Sequence, residues 1–172
     1  MHDDSFKMFR EITTAISSTV SDDTRHYGDI YDLANAFLSI EPMTHKKLQK
    51  LCYYAKAWYL AINNENIITE PFEAWVHGAV QPALFQKYRA YGFQLIPMFW
   101  PEKGLVPEEF TSFAREIYES YGEYDGDELE KINHQEVPWI NARKGLKPWQ
   151  SGDRVISEDD MKTYYRGLMD HE

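Results

Sequence analysis

Few residues in this 172-residue chain could do acid–base, nucleophilic or metal chemistry, and their spacing does not favour it. Of six histidines, only His45, His77 and His134 fall in the body of the chain. A metal site would want two ligands at i,i+3 or i,i+4, or a short Cys/His pair. No such pair exists, so no metal or cofactor is expected. Cys52 is the only cysteine and, with a distant histidine, could be a nucleophile and its base. It lies on the apolar stripe of a helix, however, and reads as a small buried hydrophobe. The acidic runs Glu108-Glu109 and Glu158-Asp159-Asp160 both open predicted helices, where carboxylates complement the macrodipole. The 9 glycines are scattered and form no phosphate-binding loop. His134 and Glu136 are the one pair from which a hydrolase could be drawn, and they lack the converging groups that flank a reacting position.

The elements that must carry these residues are mostly helical. The central one runs from a Thr44 cap to Asn63-Asn64, where asparagine tolerates left-handed backbone. Leu48, Leu51, Cys52, Ala55, Tyr59 and Ile62 draw one buried stripe along it, and Tyr54, Trp58 and Ala61 form a second face. A helix apolar on two sides is either central in its domain or shares a surface with a partner. Before it, Asp29 caps a helix with Ile30, Leu33, Ala34, Phe37 and Leu38 inward, ended by Glu41-Pro42. After it, a short hairpin or extended edge is expected around residues 66–76, with Pro71 at its margin and Gly78 as a turn. Pro82 starts the next helix, which Gly92 ends. An amphipathic helix over Phe110 to Tyr121, a short one opened by Asp127 and bounded by Pro138, a turn from Trp139 to Arg143, and a terminal helix after Ser157 complete the pass. The fold class is mainly α: one domain of six or seven helices over residues 28–172, with at most one small hairpin. Residues 1–27 read as an appended arm, helical in part.

Hydrophobic residues make up 43% of the chain and aromatics 15%, enough for a real core, and aromatics also dominate interface energetics. The net charge is −10, which argues against direct nucleic-acid binding. The cluster His45-Lys46-Lys47 with Lys50 reads as a solvated helix face. A single cysteine fits a reducing cytoplasm. No apolar run reaches membrane-spanning length and residues 1–20 do not read as a signal peptide, so no membrane association is expected. Trp75, Trp100, Trp139 and Trp149 are each either core packing or interface anchors.

Several of these stretches together resemble a known family. Leu48-Gln49-Lys50-Leu51, followed by Tyr54-Ala55 and Trp58-Tyr59-Leu60-Ala61, is similar to the signature helix of the Panacea domain, the SocA-type antitoxin family. Ala34-Asn35 with Phe37-Leu38 resembles its first helix. Phe72-Glu73-Ala74-Trp75 with Gly78, Val80 and Pro82 resembles its middle motif. Leu129, His134, Glu136, Pro138-Trp139 and Ala142-Arg143 resemble its late motif. The likeness spans roughly residues 28–169. One departure is that the family usually has Gly-Pro-Val in the middle motif, whereas this chain has Gly78-Ala79-Val80. Loss of that proline is expected to loosen the turn.

The resemblance implies a non-enzymatic antitoxin, encoded by a bacterium or prophage, that neutralises a cognate protein toxin in the cytoplasm by direct binding. It also implies an alternative, an adaptor that delivers the toxin to a ClpXP-type protease. A hydrolase and a DNA-binding autoregulator remain the readings from other classes. Leu48, Leu51 and Tyr59 are the structural motif residues. Trp75, His77 and Trp139 are candidates for partner contact. Phe6, Phe9, Ile12 and Ile16 of the arm are further candidates, because a short amphipathic helix must pack on something. The arm's other uses are docking on its own domain or a homodimer.

Overall fold

A computed structural model describes residues 28–170. Helix α1 (Ile30–Leu38) starts where Asp29 accepts hydrogen bonds from the amides of Tyr31 and Asp32, while Asp32 accepts from the amide of Asp29. This reciprocal box satisfies donors that a helix start leaves open. Its apolar stripe is buried as expected. Helix α2 (His45–Asn63) has its Thr44 cap, and Asn64 ends it at φ +57°. The hairpin pairs β1 (Glu73–Trp75) with β2 (Gly78–Val80), in the register Glu73↔Val80, Ala74↔Ala79, Trp75↔Gly78. Helix α3 (Pro82–Tyr88) runs into a 3₁₀ turn (Arg89–Tyr91) closed by Gly92. Then come α4 (Glu108–Tyr121), α5 (Gly126–Asn133), α6 (Val137–Ala142) and α7 (Glu158–Asp170). The described residues thus hold seven α-helices and one hairpin.

Helix α2 is the axis of the fold. It is packed by α1, α4, α5 and α7 and by strand β2. From Leu48 to Ala61 every residue except Tyr59 is buried, including Gln49, Lys50 and Lys56. Of the two fates open to a two-faced apolar helix, this chain takes the central one. Leu48 and Leu51 are fully enclosed, whereas Tyr59 stands at the rim, its ring edge-on to Phe113 and its hydroxyl on Glu109. Aromatic rings fill the space between α2 and α7. Tyr53, Tyr54 and Trp58 all lie within reach of Tyr165, and Tyr54 stacks on Tyr121 at 4.2 Å.

Four expectations need correction. The hairpin lies at residues 73–80, not 66–76: its tip is Val76-His77, and Gly78, at φ +95°, opens β2 instead of forming the turn. Trp139 to Ala142 belong to helix α6, which has Pro138 in its first turn and Arg143 as its C-cap. The cap of α5 is Asp125, two residues before the expected start. The cluster from His45 to Lys50 is not a solvated face. Lys46 binds Asp127 and Glu130, and Lys47 reaches Glu41 at 2.7 Å and the Gly122 carbonyl at 2.6 Å. Lys50 is only 1% exposed. The physical reason is common to these lysines: α2 is enclosed on all sides, so its polar residues face neighbours and not water.

Candidate partner-binding surface

The hairpin is held by side chains that reach its backbone from three helices. From α2, Gln49 clasps Gln81, donating to its carbonyl at 3.0 Å and accepting from its amide at 2.8 Å. Lys50 donates to the Ala79 carbonyl at 3.1 Å. From α5, Asn133 accepts from the Ala79 amide at 2.8 Å. From α6, Trp139 donates its indole N–H to the Trp75 carbonyl at 3.0 Å. Arg143, which caps α6, donates to the Ala74 carbonyl at 2.8 Å and to the carbonyls of Lys147 and Gln150. Buried polar groups are costly unless bonded, so each bond fixes hairpin and helix against one another. The Asn133–Ala79 bond also answers the missing proline. A proline there would have no amide to donate. The alanine supplies one, and the expected looseness is offset.

Below this belt lies Glu136, which is 5% exposed. It accepts from Tyr54 at 2.6 Å, Tyr165 at 3.0 Å and Asn133 at 3.3 Å. Burial outweighs these bonds and raises its carboxyl to about 7. Burial likewise lowers the Lys50 ammonium to about 7, opposed by Glu130. Asn133 links the two layers, since one amide group serves both Ala79 and Glu136.

Above the belt the tip faces outward. A groove of about 470 Å³ is lined by Trp75, Val76, His77, Ser151, Gly152 and Asp153. The Trp75 indole donates to Glu73 at 2.6 Å and packs edge-on against Phe85. His77 is exposed and sits 3.0 Å from Glu130. The structure thus brings together the three candidates from the body of the chain. Trp75 and His77 line the groove, and Trp139 buttresses it from α6. Phe6, Phe9, Ile12 and Ile16 lie outside the described residues. Sequence reading passed over Gln49, Lys50, Asn133 and Arg143 as functional supports. Their signal was polarity at core positions of a helix pattern, which is informative because burial of such groups demands partners.

A catalytic reading finds little here. His134 stacks on Trp139 at 4.3 Å, while Glu136 is enclosed by tyrosines. The two engage different partners. The Cys52 thiol is buried and pushed well up by burial, away from thiolate character. Among the described residues no group of three or more His, Cys, Asp or Glu could hold a metal ion. None of the described helices is long and apolar enough to cross a membrane.

The described residues form a small helical domain that presents a braced hairpin. In the comparison with family models, residues 48–140 match the antitoxin SocA-like Panacea domain, and the chain belongs to that family. The match takes in α2, the hairpin, α3 to α5 and most of α6, hence nearly all of the hairpin's belt. No curated protein and no solved structure matches the chain.

Proposed function

We propose that this protein is the antitoxin of a toxin–antitoxin pair and neutralises its cognate toxin by direct binding, in the cytoplasm. The observation that carries the reading is that the matched antitoxin domain, packed around α2, presents the tip of one hairpin whose backbone is fixed by Gln49, Lys50, Asn133 and Trp139. A surface held this way loses little conformational freedom on binding, which favours affinity. Trp75 and His77 supply contact at the tip, and Trp139 holds the tip in place. The arm residues Phe6, Phe9, Ile12 and Ile16 add a second contact.

The test is co-expression with the product of the adjacent gene. That product alone should arrest growth, this protein should restore it, and the two should co-purify. The double variant Trp75→Ala/His77→Ala should keep its melting temperature and lose rescue. A neighbour that is harmless alone, or stays toxic beside this protein, would refute the reading. Toxin that disappears in a protease-dependent way, without a stable complex, would favour delivery to a Clp-type protease instead.

A further inference from the structure

The hairpin has a third, partial strand with an open outer edge. Val155 bridges Glu73 antiparallel, flanked by bonds from the Ala74 amide to the Arg154 carbonyl at 2.8 Å and from the Ile156 amide to the Phe72 carbonyl at 2.8 Å. In a bridge of this kind the central pair turn their own N–H and C=O away from each other. Glu73 directs its groups to β2, with which it is paired. Val155 directs its groups outward, where no described residue meets them, and its side chain is 55% exposed. A groove lined by Trp75, Val76, His77, Ser151, Gly152 and Asp153 separates the hairpin tip from the stretch that leads into this edge. An open edge of this kind is the usual receptor for an added strand.

Charge indicates what would be added. The stretch leading into this edge carries Arg143, Lys144, Lys147 and Arg154 against the single acid Asp153, in a chain of net charge −10. Lys144, Lys147 and Arg154 are exposed, and the Arg154 guanidinium folds back onto the Lys144 carbonyl, which gathers these bases at one end of the edge. Trp149, 73% exposed with the Lys147 ammonium over its ring, offers an apolar contact on the same loop. We infer that the outer edge at Val155 takes an extended acidic segment of the partner protein as an added β-strand, with Lys144, Lys147 and Arg154 meeting its carboxylates. A nucleic acid fits less well: it offers no alternating donors and acceptors at strand spacing, and the rest of the surface repels a polyanion. That the partner is a toxin rests on the proposed function; the chemistry of the edge does not.

The probe is a capped peptide of about seven residues alternating valine with aspartate or glutamate, followed by tryptophan fluorescence. It should bind saturably and lose affinity with added salt. Val155→Pro removes an amide that no described residue uses, so the fold should survive while affinity falls tenfold or more. Lys144→Glu/Lys147→Glu should do the same, since both side chains are exposed and the hydrogen bonds these residues make within the loop come from their backbone groups. A lysine-for-acid peptide should not bind. No binding of the acidic peptide, equal binding of the lysine peptide, an unchanged Val155→Pro variant, or preferential binding of oligothymidylate would each overturn the inference. So would a dimer of this chain that Val155→Pro dissolves, which would give the edge to a second copy. The adjacent gene product separates the two readings. If both variants capture it as wild type does, the antitoxin reading survives and the edge falls. If the peptide binds as described and the product is not captured, the edge survives and the antitoxin reading falls.

Discussion

Glu136 makes the fold sensitive to pH in a defined window, and Glu136→Gln tests it. The carboxyl is raised to about 7 from an ordinary 4.5, first because burial penalises its charge. A raised acid contributes stability that is fully present below the unfolded value and is lost as pH rises through the folded one. Wild type should therefore lose stability between about pH 4.5 and pH 7, by about 3 kcal/mol for this group alone. Glutamine suits the same surroundings. Its carbonyl can accept from Tyr54 and Asn133, which both donate to one oxygen of Glu136, and its amide can donate to the Tyr165 hydroxyl. It does not titrate. Urea unfolding of both proteins at about pH 5, 6, 7 and 8 gives the difference between them. Glu116, also raised to about 7 by burial, is common to both proteins and cancels. Relative to wild type, Glu136→Gln should gain about 3 kcal/mol across the window, whatever constant offset the substitution carries. A difference that stays flat from pH 5 to pH 8 would refute the claim that Glu136 is desolvated in the folded state.

Leu51→Ala should destabilise the protein by about 2 to 5 kcal/mol, the range for truncating a buried leucine, and lower its melting temperature; a stable variant that loses partner binding would place Leu51 at an interface. Gly78→Ala should lower stability measurably in denaturant, because its φ is +95° and a Cβ there would stand 2.6 Å from Lys50 Cε and 2.9 Å from Asn133 Oδ1. Ala79→Pro installs the proline usual in the family, yet should destabilise this chain by about 1 to 3 kcal/mol by orphaning the Asn133 carbonyl; an unchanged urea midpoint would show that the Asn133 bond is dispensable. Deleting residues 1–25 should leave a folded domain with weakened partner binding, through loss of Phe6, Phe9, Ile12 and Ile16; unchanged affinity would remove the arm from the contact, and unfolding would show that it docks on its own domain.

What could be read from the sequence follows from which interactions are local. Caps at Asp29 and Thr44, the left-handed stop at Asn64 and the proline start at Pro82 are decided within a few residues, and each stands as expected. The apolar stripe of α1 is also local in pattern. The register of the hairpin is not. Ile67 and Ile68 look more like a strand than Gly78-Ala79-Val80 does, but they are drawn into the core while the glycine-led stretch pairs. The cluster of Lys46, Lys47 and Lys50 departs from its expected solvated face for the same reason. Charge at a helix position suggests water, and only the tertiary packing supplies Asp127, Glu130, Glu41 and the carbonyls of Gly122 and Ala79 as partners. Of the candidate surface, Trp75, His77 and Trp139 were visible as residue types. That Trp139 reaches the Trp75 carbonyl across a separation of 64 residues was not.

The manner in which the hairpin is braced bears on how such a domain can recognise a partner. Gln49, Lys50, Asn133, Trp139 and Arg143 bind main-chain groups between Ala74 and Gln81, so the belt is indifferent to the side chains carried at the tip. Val76 and His77 receive none of the belt's bonds to the strands and face the groove. The residues that fix the hairpin's backbone and the side chains presented at its tip are therefore different. A substitution at Val76 or His77 should leave the belt's main-chain bonds in place, whereas a substitution in the belt removes one of them. The cost of the arrangement is an interior with buried lysine and glutamate, each desolvated enough to titrate near neutrality. A hydrophobic replacement of Lys50 would lose the bond to the Ala79 carbonyl, and one of Glu136 would leave Tyr54, Tyr165 and Asn133 without their acceptor.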